Sequence, residues 1–302
     1  MTPQQLVPPL DPYGLPAPVW VFVFLMNLTL VLHFIAMGYV FGGTLLQVFL
    51  AGAREGSAGE WMLRRTEGPL SVALSFTITL GVAPLLFVQV LYQPVFYNAN
   101  IMIGYQWFGI VFDLIAGFYL IYLCQGGKVL GRRIPAALHV LARLFIFCTL
   151  AYVLVTMTAN AILAMNPDAW TAVRNSGGNF LLGRPPILIP RLLHNILAAL
   201  IIGGVWMIAL GARSERLETA PVAQAGAKHL RKIGALTVMV GAMFQPMVGG
   251  WPVFVEKPDV QHMLVSVRPA SMLLLRALLG VLALLLLGLW SLVERPGRMT
   301  LA

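Results

Sequence analysis

Two of the five histidines lie well inside long apolar segments, where a titratable side chain needs a function or a partner. His33 lies in the apolar run at 19–50, and His194 lies in the run at 187–212. Ionisable groups at membrane depth are costly and are found mainly where they hold a cofactor or transfer protons. Imidazole is also a common ligand of haem iron. Both histidines are therefore candidate haem and metal ligands.

The surroundings of the two histidines are similar. Each lies 18 residues from the predicted inner end of its run, near Ala51 and near Ala212, and 18 helical residues extend about 27 Å. Both imidazoles are thus expected in the outer part of a bilayer. Small residues follow each histidine and allow either a flat macrocycle or simply a neighbouring helix to come close; they are Gly38, Gly42 and Gly43 after His33, and Gly203 and Gly204 after His194.

Three further residues are candidates for binding the same cofactor. Arg191 precedes His194 by three positions on the same helical face, where its guanidinium suits a haem propionate or anchors the helix at the interface. Met243 and Met247 fall in the outer half of the sixth run, and methionine is the second ligand in His/Met haems. Since the chain has 14 methionines, most must serve packing.

The other polar residues of the apolar runs have less specific interpretations. Asp113 lies seven residues after Gln106, on a shared face, where it could relay protons or, as we favour, form a structural pair with a buried arginine. His139, His229 and His262 lie near predicted helix ends or in a loop and favour an interfacial position. The two cysteines cannot hold an iron–sulfur or structural zinc site alone, and the absence of CxxCH excludes covalently attached haem.

Membrane-spanning helices are the elements that must position these residues. Of 302 residues, 59% are hydrophobic and only 10% are charged, whereas a soluble domain has about 25% charged residues. A crossing takes about 20 apolar residues. The chain is therefore predicted to be an all-α, polytopic transmembrane helix bundle forming a single integral-membrane domain over 1–302. Its seven helices are expected near 19–50, 71–95, 101–125, 136–163, 187–212, 231–250 and 270–293.

Charge sets the predicted orientation. Most basic residues lie in the odd-numbered connections and at the C-terminus, and the first apolar run has none before it. This asymmetry predicts an outer N-terminus, without a cleaved signal peptide, and a cytoplasmic C-terminus. It also explains the net charge of +9 without nucleic acid. The polar connection 213–229 is expected to be a flexible loop, and only the first helix is expected to exceed the bilayer clearly.

Four segments carry a family resemblance through their shared order. They are LHFIAMGYVFGGTLLQVFLA, TLGVAPLLFVQVLY, VTMTANAILAMNPDAW and PRLLHNILAALIIGG. They resemble the first, second, fourth and fifth helices in the N-terminal half of subunit I of the cytochrome bd quinol oxidases, over roughly residues 20–265. The resemblance implies that His33 and His194 are haem ligands, that Arg191 is the basic residue three positions before the second ligand, and that the N-terminus faces outside.

The departures from that family favour electron transfer over oxygen reduction. The family's third helix carries two glutamates near its active haem, where this chain has Gln106 and Asp113. The long quinol-binding loop with its Gly-Arg-x-Pro-Trp signature and the extra C-terminal helices are also absent from the sequence.

Together these observations predict a membrane subunit that carries one or two b-type haems in a bacterial respiratory complex of the inner membrane. It would pass electrons between the quinone pool and an outer redox partner, such as a c-type cytochrome or iron–sulfur subunit. It would then be an enzyme only as the quinol-oxidoreductase membrane subunit of the larger complex. The alternatives are a bd-like quinol oxidase subunit and a cofactor-free membrane anchor. A small transporter is disfavoured because inverted repeats are lacking.

Overall fold

The computed structural model describes residues 12–126, 135–179 and 186–256, residues 258 and 261, and the backbone of 128–129 and 132–133. This part of the chain is a bundle of α-helices, which confirms the predicted all-α class. The helices are α1 (Val19–Leu50), α2 (Ala58–Glu67), α3 (Leu70–Leu91), α4 (Gln93–Met102), α5 (Gly104–Gly126), α6 (Ala136–Ala164), α7 (Trp170–Asn175), α8 (Leu188–Leu217) and α9 (Pro221–Val255). A two-residue antiparallel pair, β1 (Lys128–Val129) with β2 (Arg132–Arg133), joins α5 to α6.

Six helical segments of the described part are long and apolar enough to cross a membrane. They are Val19–Leu50, Ala58–Leu91, Gly104–Gly126, Ala136–Ala164, Leu188–Leu217 and Pro221–Val255. The chain is accordingly a multi-pass membrane protein. The predicted seventh helix, 270–293, lies outside the described residues, and the orientation with the N-terminus outside stays a prediction.

A glycine turn and a capping arrangement separate α1 from α2. Gly56 has a φ of 72°, which suits glycine because other residues rarely adopt it. The N–H of Glu60 donates to Ser57 Oγ at 3.2 Å, and the Glu60 carboxylate accepts the Gly56 N–H at 2.6 Å. Such reciprocal bonds satisfy backbone donors that have no partner at a helix start. The polar α2 therefore begins directly after the turn.

The expectation of a flexible loop at 213–229 is wrong. The helix α8 continues to Leu217, and α9 starts at Pro221, so that only three residues connect them. This segment is rich in alanine, arginine, glutamate and lysine, which are good helix formers, and proline is well tolerated at the first helical position. The polar composition of residues 213–229 therefore indicates contact with water and not irregular structure. At 35 residues, about 52 Å, α9 also exceeds the length that the sequence led us to expect.

The helices group into two compact units. The first contains α1 and the segment Arg65–Leu188, and the second contains Ala53–Arg64 and the segment from Ile189 onward. In the first unit α1 packs along α3 and α6, with the rings of Phe41 and Phe147 centred 5.1 Å apart. The expectation of one integral-membrane domain stays a prediction.

Glycines bring the backbones of α8 and α9 together in the second unit. A Cβ built on Gly204 would lie 2.8 Å from the carbonyl oxygen of Gly234, and one built on Gly234 would lie 2.5 Å from that of Gly204. A Cβ on Gly211 would likewise lie 2.7 Å from the oxygen of Ala227. Small residues permit this close approach of membrane helices. Helix packing, the simpler of the two interpretations, therefore explains Gly204.

Candidate functional site

His33 has its ring packed against α3 in the first unit. Its Nδ1 lies 2.8 Å from the backbone carbonyl oxygen of Thr77. A carbonyl oxygen only accepts, so Nδ1 carries the proton and donates it, and the Nε2 of the neutral ring keeps its lone pair. A Cβ built on Gly81 would lie 2.7 Å from Cε1 and 2.8 Å from Nδ1 of His33. The missing side chain of Gly81 is what allows the imidazole to reach Thr77.

His194 has its ring packed against α9 in the second unit. The amide nitrogen Nε2 of Gln245 lies 3.1 Å from Nδ1 and 3.4 Å from Nε2 of the ring, and 3.3 Å from the backbone oxygen of His194. A Cβ on Gly249 would lie 2.9 Å from Nδ1 and 3.0 Å from Cε1 of His194. Because the amide nitrogen is about equally close to both ring nitrogens, it lies over the ring, out of line with the lone pair of either, and selects neither tautomer of His194.

The two histidine sites share one construction. In each, the Nδ1–Cε1 edge of the ring lies against a glycine of the neighbouring helix, and the polar partner stands four residues before that glycine, on the same helical face. A proline inside the helix follows the glycine by three positions. The two sets are Thr77, Gly81 and Pro84 on α3, and Gln245, Gly249 and Pro252 on α9. Sequence analysis missed all six residues, although the repeated Gly-x-x-Pro and a glutamine within an apolar helix were visible signals.

The remaining predicted site residues are placed differently. Arg191 is half-buried in α8, one turn before His194. Met243 and Met247 are 63% and 67% exposed on α9. Each lies two positions from Gln245, about 200° around the helix axis, and therefore on the other side of α9. The structure does not bring either thioether to His194.

The equal depth expected for the two histidines also stays a prediction. The helix α8 runs past the expected inner end at Ala212 to Leu217, whereas α1 ends at Leu50, close to the expected Ala51. Distances counted to the helix ends therefore no longer agree. Of the histidines assigned to interfaces, His229 is exposed and bonds the oxygen of Ala225 in its own helix, while His262 lies outside the described residues.

A buried ion pair was expected at Asp113 but is found elsewhere. Arg143 on α6 donates from Nη2 to Glu67 Oε1 at 2.9 Å, and their side chains are only 4% and 11% exposed. His139 Nδ1 and Arg143 Nε are buried without a hydrogen-bond partner in the described structure. No ion pair of the described residues includes Asp113. Glu67 could not be predicted as the partner, because it ends the polar helix α2 and does not lie within an apolar run.

Gln106, the other polar residue singled out on α5, is tied to the turn after α7. Its amide donates to the carbonyl oxygen of Gly178 at 3.1 Å, and its own backbone oxygen accepts the hydroxyl of Tyr152 at 3.1 Å. Its side-chain oxygen is buried and has no partner among the described residues. Gln106 therefore connects the start of α5 to the turn after α7 and to α6, a role that needs no cofactor.

Each histidine site offers one nitrogen ligand rather than a cluster. No group of three or more His, Cys, Asp or Glu residues that could hold a metal ion is found in the described ranges. Haem needs fewer protein ligands, because the macrocycle supplies four nitrogens. Histidines that bind metals usually donate their other ring N–H to a carbonyl or carboxylate. His33 has this arrangement with Thr77 and fits a haem ligand. The ring nitrogens of His194 have no carbonyl or carboxylate partner among the described residues.

Comparison with protein-family models gave no match for this chain, and comparison with curated proteins gave none either. The function is therefore inferred from the two histidine sites, the membrane helices and the resemblance described above.

Proposed function

We propose that this chain is a membrane-embedded electron-transfer subunit that binds one or two b-type haems. It would belong to a respiratory complex of the bacterial inner membrane and pass electrons between the quinone pool and a redox partner on the outer side. That partner would be a c-type cytochrome or an iron–sulfur subunit. Haem supplies the one-electron chemistry when bound, and the chain supplies the ligand, the orientation and an apolar setting.

The observation that carries this proposal is the hydrogen bond from His33 Nδ1 to the carbonyl oxygen of Thr77. It fixes the ring, selects the tautomer and leaves Nε2 as the nitrogen available to iron. Gly81 opposite the ring leaves the space that this hydrogen bond needs. The resemblance of the first helix to that of cytochrome bd subunit I also implies that His33 is a haem ligand.

The decisive experiment is a visible absorption spectrum of the full chain, purified from membranes and measured oxidised and reduced. We expect reduced b-type haem bands, and their loss or conversion to a high-spin form in His33→Ala. His229→Ala is the matched control, because His229 is exposed and contacts only its own helix; its spectrum should equal that of the wild type. Wild-type protein without haem bands, from cells with ample haem, would refute the proposal.

A cofactor-free membrane anchor is the second candidate, and one observation favours it. The ring of His194 already has a polar partner in Gln245, so this histidine is satisfied without iron. A buried imidazole with a partner is inexpensive. The same spectra separate the candidates, since an anchor would bind peripheral subunits but show no haem bands in any variant.

A further inference from the structure

Four exposed cations near the connection of α8 to α9 form no ion pair with the described residues. They are Arg213, Arg216, Lys228 and Lys232. The two carboxylates of these helices are engaged elsewhere. Glu215 pairs with Arg231 at 3.1 Å, and Glu218 accepts the indole N–H of Trp61 at 2.9 Å. The four cations, called the cationic band below, therefore leave an uncompensated positive charge on the surface of this helical hairpin.

The cationic band is narrow along the helix axes. A Cβ on Gly211 would lie 2.7 Å and 2.9 Å from backbone atoms of Ala227 and Arg231, so Gly211 is level with the midpoint between them. Arg216 is five residues from this level toward the turn, and Lys232 is three residues from it in the other direction. At 1.5 Å per residue the band therefore spans about 12 Å, and the other two cations lie between these limits.

The cationic band lies where the uncharged part of each helix ends. The helix α8 has no Asp, Glu, Lys or Arg over 192–212, and α9 has none over 233–255. The first of these stretches extends about 30 Å, which is the thickness of the hydrocarbon core of a bilayer. Lysine and arginine at the ends of membrane helices extend their charged groups to the interface. The band is therefore at the level of the lipid headgroups.

We infer that the cationic band binds the phosphate groups of anionic phospholipids. The guanidinium of arginine forms paired hydrogen bonds with phosphate, and the ammonium of lysine binds it as a point charge. The turn beyond the band, residues 217–227, has Glu218 as its single charged side chain. A protein that approached from water would meet this turn first, so the position of the cations favours lipid over an acidic partner protein. The inference does not depend on haem.

The test measures which lipids the full chain retains. The protein is reconstituted in vesicles of equal phosphatidylglycerol and phosphatidylcholine, extracted in a mild detergent, and analysed for bound lipid by mass spectrometry. We expect the wild type to retain more phosphatidylglycerol than phosphatidylcholine. The preference should fall when NaCl is raised from about 0.1 M to about 1 M, because the Debye length falls from about 10 Å to about 3 Å.

Single variants locate the effect without removing several charges at once. Arg213→Gln and Lys232→Gln should each lower the ratio of retained phosphatidylglycerol to phosphatidylcholine by about two- to fivefold, whereas Arg213→Lys and Lys232→Arg should keep it. Circular dichroism checks that every variant has the helix content of the wild type.

Arg64→Gln is the matched control, because Arg64 is 75% exposed in the same unit but pairs with Glu60 at 2.7 Å. It should change the ratio much less than Lys232→Gln does, and an equal effect of the two would overturn the inference. Equal retention of both lipids by the wild type would also overturn it and leave an acidic protein as the occupant. A ratio unchanged in both Arg213→Gln and Lys232→Gln would overturn it as well.

Discussion

The sites of His33 and His194 are built alike but differ in one hydrogen-bonding group. In both, a glycine of the neighbouring helix makes room for the Nδ1–Cε1 edge of the ring. At His33 the partner of Nδ1 is a backbone oxygen, which only accepts. At His194 the nitrogen of a side-chain amide lies near both ring nitrogens. The first arrangement leaves Nε2 with its lone pair, and the second does not fix the tautomer of the ring.

This difference shows that a histidine within an apolar helix does not by itself form a ligand site. The site also needs a group that faces the second ring nitrogen, because that group decides the tautomer. The backbone oxygen of Thr77 is a fixed acceptor, whereas the amide of Gln245 lies over the ring and fixes no tautomer. His33 therefore has the second hydrogen bond that metal-binding histidines usually show, and His194 lacks it.

The two units also differ in how they hold opposite charges. In the first unit Arg143 and Glu67 form a pair that is almost fully buried. In the second unit the side chains of Arg64 and Glu60 pair at 2.7 Å and are 75% and 20% exposed. Loss of one partner from a buried pair leaves a charge that water cannot reach.

The largest expected effect is therefore on stability, from Arg143→Met. We expect the free energy of unfolding to fall by about 3–5 kcal/mol, measured by titration with SDS in mixed micelles and followed by circular dichroism. Arg64→Met should lower it by about 1 kcal/mol or less, because water screens that pair. Adding Glu67→Gln to Arg143→Met should recover part of the loss. Equal effects of Arg143→Met and Arg64→Met would show that the burial of the two pairs does not determine their contribution to stability.

The next effect concerns the two glycines that face the histidine rings. Gly81→Ala and Gly249→Ala each place a Cβ within 3.0 Å of an imidazole. Overpacking of this kind costs about 1–3 kcal/mol, and Gly81→Ala should in addition displace His33 from Thr77 and reduce its haem content. Unfolding in SDS and the absorption spectrum measure the two consequences.

Each of these variants has a control in its own unit. A Cβ on Gly43 or on Gly250 would meet no atom within 4 Å, so Gly43→Ala and Gly250→Ala should not destabilise the protein. If Gly250→Ala proved as harmful as its neighbour Gly249→Ala, the contact with His194 would not be the cause. Likewise, if Gly43→Ala proved as harmful as Gly81→Ala, the contact with His33 would not be the cause.

The smallest expected effect is that of Met247→Leu. The side chain is 67% exposed on the side of α9 away from Gln245, so we expect a change of about 0.5 kcal/mol or less and an unaltered haem spectrum. Leucine keeps the volume and apolar character but removes the sulfur. A changed spectrum would show that Met247 acts as an iron ligand. Haem binding would then not depend on the contact between Gln245 and His194.

Much of the helical framework could be predicted from hydrophobicity alone. The bounds of α1 match the prediction, and those of α6 differ by one residue at its end, because backbone groups in lipid must bond within their own helix and apolar runs therefore become helices. The starts of α2 and α9 were missed, because polar helices carry no apolar run. The connection predicted between 95 and 101 is wrong, because that segment lies inside α4, and the chain instead breaks at Tyr92 and Ile103.

The sequence by itself determined that this is a multi-pass α-helical membrane protein and that two histidines lie within its apolar helices. Only the tertiary structure decided what those histidines face. Thr77 is 44 residues from His33, and Gln245 is 51 residues from His194. The register between two packed helices depends on glycine contacts along their whole length, such as Gly204 against Gly234. Hydrophobic periodicity fixes which segments are helical, but it does not specify which donor or acceptor meets a given ring nitrogen.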